Sequence, residues 1–275
     1  MSRVTADPFP AVEEADATGA LTALFDDIRA TLGVPVVNLI WRHLATIPGA
    51  LDFAWAVVRP HYISGDIARY ANGLRGDLSI PHVESRALRN LTAAELSQIS
   101  TIVQSYERSN AMNLIGLSAL LAVIEGRLAT DVHVVPRDER PGISGTMPAA
   151  VALADMPDVT LALVRRLQSV GGADVVMPTM YRHLAYWPAM LEQILAVLQP
   201  LDDAGEIAPA IQAAQSDGLR IGIALSARSG TPEVALLPEH RDALHASVSH
   251  FLGGVIAKMV VIMAILRRAF PEIGK

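Results

Sequence analysis

Residues 41–60 read WRHLATIPGALDFAWAVVRP, and residues 181–200 read YRHLAYWPAMLEQILAVLQP. Set 140 positions apart, nine of the twenty positions are identical: Arg42/Arg182, His43/His183, Leu44/Leu184, Ala45/Ala185, Pro48/Pro188, Leu51/Leu191, Ala56/Ala196, Val57/Val197 and Pro60/Pro200. Further on, Gly73-Leu74-Arg75 returns as Gly218-Leu219-Arg220 at an offset of 145. The apolar stretches 114–124 and 259–266 keep the later offset, so a five-residue insertion separates the two blocks. A repeat this long is the doubling of a whole unit and not the short period of a solenoid.

Each unit reads as helical. Ala, Leu, Arg and Glu, all strong helix formers, dominate, and long β-branched alternation is missing. Gly and Pro punctuate the first half at Gly33-Val34-Pro35, Ile47-Pro48-Gly49, Pro60 and Pro81. Pro35 suits the first turn of a helix running towards Ala45. Thr92-Ala93-Ala94-Glu95 has the spacing of a capping box and opens a helix through Ser105. Residues 127–156 are rich in Pro, Gly, Asp and Arg and read as an irregular connection. The expectation is an all-α protein: two pseudo-symmetric helical repeats packed face to face and joined by a long irregular linker. Its parts are an N-terminal tail (1–20), repeat 1 (21–126), linker (127–156) and repeat 2 (157–275). Pockets favour such seams, so the site is expected between the repeats.

Composition narrows the chemistry. The chain has 275 residues (29.3 kDa), 51% apolar and 18% charged, with only 5% aromatic, so its core is aliphatic. It has no cysteine, which excludes thiolate nucleophiles, disulfides and Cys-ligated metals. A net charge of −6 offers no basic surface for nucleic acid. Lys258 and Lys275 are the two lysines, so a Schiff-base role falls on Lys258 or on none. The longest uninterrupted apolar stretches fall well short of a membrane span, and no apolar leader is visible before Pro10, so no membrane association and a cytoplasmic location are expected.

No GxGxxG, Walker, HExxH or GxSxG pattern is present. The adjacent carboxylates Glu13-Glu14, Asp26-Asp27 and Asp202-Asp203 diverge on a helix and read as solvated. His240, His245 and His250 recur every five residues, about 140° apart on a helix, and form no one-face metal triad. His82, His133 and His61 have no evident partner. His43 and His183 differ from these, because each follows an arginine at the same place in its repeat. Either they are packing residues or they line the seam. Arg42 and Arg182 admit the same two readings: hydrogen bonds within the fold, or recognition of a substrate carboxylate. A clamp on one metal or haem by His43 and His183 is a weaker third reading.

The run Asp26-Asp27-Ile28-Arg29-Ala30-Thr31-Leu32-Gly33-Val34-Pro35, followed by Arg42-His43-Leu44-Ala45-Thr46-Ile47-Pro48-Gly49, resembles the group I 2-haloacid dehalogenases. So do Tyr181-Arg182-His183-Leu184-Ala185 and Ser109-Asn110 before an apolar helix, and the resemblance spans residues 21–270. It implies an all-helical homodimer of doubled subunits that needs no cofactor or metal. It also implies hydrolysis of the carbon–halogen bond of short 2-haloalkanoic acids of either hand. In the family an aspartate activates water and an asparagine helps to hold it. Carried over, the asparagine is Asn110, the pocket residues are Val36 and Leu39, and the neighbour of the catalytic position is Thr179. The aspartate position itself is Met180.

A thioether cannot take a proton from water, so ordinary Asp-based dehalogenation is not expected. The nearest acid is Asp174, six residues away. On helical spacing Val36, Leu39, Ile40 and His43 share a face, as do Val176, Thr179, Met180 and His183. His183 is therefore the candidate replacement base. Two functions stay open: a divergent enzyme acting on a small carboxylic acid, or a catalytically inactive small-ligand binder on the same fold.

Overall fold

The computed structural model describes residues 9–127, 134–172, 176–229 and 235–274. Asp174 and His133 lie outside the described residues. Helices and turns account for the ordered elements, and no strand occurs among the described residues.

The first half contains α1 (Ala20–Leu32), α2 (Leu39–Leu44), α3 (Ala50–Ile63), α4 (Asp66–Asp77) and α5 (Ala93–Glu125). The same order of a medium helix, a six-residue helix, two further helices and a long one follows in the second half. These are α6 (Asp158–Ser169), α7 (Thr179–Leu184), α8 (Pro188–Asp203), α9 (Ile207–Ser226), and α10 (Pro238–Phe251) running through a π turn (Leu252–Ile256) into α11 (Ala257–Ala269). Residues 134–157 between the halves form no helix.

Local chemistry sets these bounds. Thr92 caps α5 with the full reciprocal box: its side chain accepts from the Glu95 amide, and the Glu95 carboxylate accepts from the Thr92 amide. The helix it opens runs on to Glu125, far beyond Ser105, because its buried residues continue to Ala122. α1 stops at Gly33, which takes the left-handed conformation (φ 64°) and donates its amide to the Arg29 carbonyl at 2.9 Å. Pro35 does not start a helix. α2 begins four residues later, at Leu39, and the expected helix from Val36 is absent.

α5 is the axis of the molecule. From Arg108 to Ala122 it is buried on all sides, with second-half helices α9 and α11 and first-half helices α3 and α4 packed around it. The α5–α9 crossing is close because α9 presents Gly218 and Gly222. A Cβ on Gly222 would lie 2.4 Å from the Ser118 Cβ and 2.6 Å from the Ala119 amide. Any side chain there forces the two helices apart.

The apolar run closing the chain is longer than its sequence stretches suggest. α10, the π turn and α11 make one helical run, Pro238–Ala269, long and apolar enough by composition to cross a membrane. Its most apolar window is 72% buried inside the protein, as a core helix is. The π turn holds Gly254 at φ −121°, ψ −107°, off helical geometry. It re-aims Phe251, Val255, Ile256 and Met259 towards the centre, where they line a cavity.

The paired carboxylates are only in part solvated: Glu13, Asp26 and Asp203 are exposed, while Glu14, Asp27 and Asp202 are half-buried. Asp27 receives Arg59 at 2.7 and 2.9 Å and the Trp55 indole at 2.7 Å, and the Arg59 bond leads the influences holding its carboxyl below the usual range. Glu13 pairs with Arg42 at 2.6 Å, Glu14 receives the Val37 amide and Arg29, and Asp202 receives the Gly171 amide. They pin loops to helices.

Candidate functional site

A cavity of about 40 Å³ lies where α2, α5, α7 and the π turn meet. The first half contributes Asn38, Leu39 and Ile40 from the start of α2, and Tyr106, Asn110 and Asn113 from α5. The second half contributes residues 176–180 at the start of α7, and Phe251, Val255, Ile256 and Met259 across the π turn. Most of the wall is aliphatic, as the composition requires, and the room suits a molecule of a few non-hydrogen atoms.

Four polar atoms on this wall are buried without a formed hydrogen bond inside the protein: Asn38 Oδ1, Tyr106 Oη, Asn113 Nδ2 and Thr179 Oγ1. The Asn113 assignment is secure chemically. Its Oδ1 accepts from the Trp41 indole N–H at 3.1 Å and the Tyr62 hydroxyl at 3.0 Å, and an indole N–H can only donate. The amide nitrogen is thereby left over. Asn38 spends Nδ2 on Ser109 at 2.9 Å, and Asn110 spends Nδ2 on the Tyr106 carbonyl at 2.8 Å. The Thr179 and Tyr106 hydroxyls face each other without reaching hydrogen-bond geometry. Each unserved buried polar group costs about 1–3 kcal/mol, so four around one small cavity single it out as the candidate site.

Among the described residues no Asp, Glu, His, Lys or Arg lines the cavity. Charge reaches it from behind. Burial raises the Tyr106 phenol far above its ordinary value, while Arg42 and Arg182 oppose that rise and Glu14 adds to it. The Arg42 and Arg182 guanidinium groups and the Glu14 carboxylate thus all act on the Tyr106 end.

Of the site residues expected from sequence, Leu39, Ile40, Asn110, Val176, Thr179 and Met180 line this cavity. Val36, Arg42, His43, Arg182 and His183 do not. Val36 precedes α2 and is packed in the core, so the helical face assigned to it does not form.

The Arg-His pairs have a different task. The His43 Nδ1 contacts the Pro10 carbonyl at 2.7 Å, and the Arg42 carbonyl accepts the Val12 amide at 3.1 Å. The His183 Nδ1 contacts the Pro148 carbonyl at 2.8 Å, and the Arg182 carbonyl accepts the Val151 amide at 3.2 Å. Each pair thus straps down the extended segment that precedes its half. Arg42 adds bonds to the Val37 carbonyl and Glu13, and Arg182 adds one to the Val151 carbonyl. The two histidines also back the cavity from behind, crosswise. His43 stacks on Phe251 with ring centres 5.9 Å apart, and His183 lies 5.8 Å from the Tyr106 ring. They are held apart by different partners, and their arrangement does not clamp a shared metal. Among the described residues no group of three His, Asp or Glu side chains gathers to hold one.

Burial, the leading cause, lowers the His183 pKa to about 4, and the Arg182 and Arg42 charges act in the same direction. The ring is neutral at physiological pH. Because a carbonyl accepts at Nδ1, that nitrogen carries the proton and Nε2 carries the lone pair. Asn38, Tyr106 and Asn113 were missed in the sequence. Tyr106 and Asn113 flank Asn110 at helical spacing, four back and three on, which is the signal that would have found them.

No known family model matches the chain. It is 24% identical over 215 residues to a configuration-inverting 2-haloacid dehalogenase from Alcaligenes xylosoxydans xylosoxydans, covering 70% of this chain and 69% of that protein. Among solved structures, a D-2-haloacid dehalogenase mutant in complex with D-2-CPA superposes with a TM-score of 0.72 at 20% identity, covering 97% of each chain. A D-2-haloacid dehalogenase in complex with L-LA gives 0.72 at 19% identity, covering 96% of this chain and 97% of that one. The chain is therefore similar in sequence to a configuration-inverting 2-haloacid dehalogenase and has the all-α fold of the D-2-haloacid dehalogenases.

Proposed function

We propose that this protein is a divergent dehalogenase-like protein that holds one small carboxylic acid in the central cavity and does not hydrolyse a carbon–halogen bond through a carboxylate base. The observation that carries this reading is the composition of the cavity wall: three unused hydrogen-bond donors and, among the described residues, no carboxylate or imidazole base. Tyr106 Oη–H, Asn113 Nδ2–H and Thr179 Oγ1–H are the donors for an acid's two oxygens. Arg42 and Arg182 favour the anion at a distance. Leu39, Ile40, Val176 and Met259 take the short alkyl part. Met180, fully buried on the wall, stands where the dehalogenase resemblance puts the water-activating aspartate. Loss of a positioned base costs about 10²- to 10⁴-fold in rate.

A second reading rests on the fixed tautomer of His183, whose Nε2 lone pair is available as a base. It makes the protein an enzyme of substitution on the same small acid. Its weaknesses are the place of His183 outside the cavity wall and a pKa of about 4, which makes the ring a poor base.

The test is halide release from both enantiomers of 2-chloropropionate and 2-bromopropionate by wild type, Met180→Asp and His183→Gln. The expected result is silence from wild type and release by Met180→Asp. Release by wild type that vanishes in His183→Gln establishes the second reading. Release by wild type that survives His183→Gln overturns both.

A further inference from the structure

Away from the central cavity, α4, α5, α11 and residues 140–143 enclose a surface cleft of about 290 Å³, lined by Arg75, Glu107, Arg108, Arg140 and Arg267. An adjoining cleft of about 270 Å³ shares Arg75, Glu107, Arg140 and Arg267 and adds Arg268. Among the described residues Glu107 is the one carboxylate side chain lining either cleft. This concentration of cations stands out on a chain of net charge −6.

The charges do not cancel. Arg108 is accounted for: it meets Glu139 at 3.1 Å and donates to the carbonyls of Leu32 at 2.7 Å and Arg140 at 2.8 Å. Arg267 at 2.8 Å and Arg140 at 3.5 Å both lean on one oxygen, Glu107 Oε1. Arg75 meets only the Glu107 carbonyl, at 3.2 Å, and Asn72, and its Nε–H is buried without a partner. Three guanidinium groups thus face one carboxylate, an excess of two positive charges. Burial, then the charges of Arg140, Arg108 and Arg267 against the opposing pull of Glu107, push the Arg75 pKa down to about 10. Arg140 and Arg267 are partly exposed, so a solute reaches them from water.

We propose that this cleft binds a small dianion of phosphate type, either inorganic phosphate or the phosphate group of a small phosphomonoester. Guanidinium forks match the spaced oxygens of such an anion, and its two charges match the excess. The anion bridges α4 and α5 of the first half, α11 of the second and the connection between them. Occupancy therefore stabilises the whole chain, by mass action on the folded state.

The test is calorimetric titration of the full chain with inorganic phosphate and with glycerol 3-phosphate, each at ionic strength matched with NaCl. Saturable one-to-one binding is expected, weakened at least tenfold by Arg140→Gln with Arg267→Gln. Arg140→Gln alone, on an exposed connection, weakens it several-fold and serves if the double variant does not fold. Glu107→Gln removes the competing carboxylate and tightens binding several-fold. Tighter binding of glycerol 3-phosphate identifies a phosphomonoester as the occupant, and equal binding identifies phosphate itself. Absence of saturable binding by both probes, binding unaltered by the arginine variants, or weaker binding in Glu107→Gln overturns the proposal.

Discussion

α2 and α7 carry the same tripeptide, Arg-His-Leu, and do the same mechanical work, yet the residues just before them share almost nothing. At α2, Arg42 and His43 hold residues 10–12, and at α7, Arg182 and His183 hold residues 148–151, through bonds of nearly equal length. At the sequence offsets of 140 and 145, the cavity positions pair as Asn38 with Pro178, Leu39 with Thr179, Ile40 with Met180, Tyr106 with Phe251, and Asn110 with Val255. None of these pairs is identical. Val176 on the wall does keep its counterpart, Val36, but apart from that pair identity between the halves tracks the scaffold and divergence tracks the site. The first half supplies Asn38, Tyr106, Asn110 and Asn113, and the second supplies an apolar wall broken by Thr179.

The comparison breaks first at the arginines. Arg182→Ala removes the donor to the half-buried Val151 carbonyl together with the buried Arg182 stem, and costs about 3 kcal/mol. Arg42→Ala costs about as much, because it frees the Val37 carbonyl and Glu13. Urea denaturation of both variants checks this. Losses under about 0.5 kcal/mol, as for ordinary surface substitutions, contradict the strap.

Next comes pH. The lowered His183 pKa means that the unfolded chain binds this proton more readily than the folded one. Its contribution to stability is complete above pH 6.5 and is lost as pH falls from 6.5 to about 4, amounting to at most about 3 kcal/mol. His61, also held down chiefly by burial, adds a slope of the same sign. Thermal unfolding across this range should show a falling midpoint in wild type and a flatter one in His183→Gln. An equal slope in both places the titration elsewhere.

The smallest effect separates site from scaffold. Thr179→Val deletes an unpartnered buried hydroxyl at nearly constant shape. It should raise stability by about 1 kcal/mol, because the desolvation cost disappears. The same change should weaken binding of a small acid about tenfold, one lost hydrogen bond. Lost stability with unchanged binding makes Thr179 an ordinary core residue.

Much of the helical fold was legible in the sequence because caps and helix formers act locally, as Thr92 and Glu95 show. Pro35 misled because its permitted role at a helix start is not an obligation, and the chain stays extended until Leu39. The strap at residues 148–151 was read as linker. Its hydrogen bonds go to α7, more than thirty residues away, and no local pattern announces them. The cavity was half legible: the starts of α2 and α7 were found by spacing. Tyr106 and Asn113 were not, since an apolar helix conceals which of its polar residues face inward. The π turn was hidden in Gly253-Gly254, whose distortion needs the packing of the whole core to be seen.

The most direct test of a cavity that holds an acid without a base is one titration of the wild type with D- and L-2-chloropropionate, reading heat and free chloride together. Saturable heat for at least one enantiomer with no chloride released is the result predicted. Chloride release at an enzymatic rate, or no binding of either enantiomer, contradicts it.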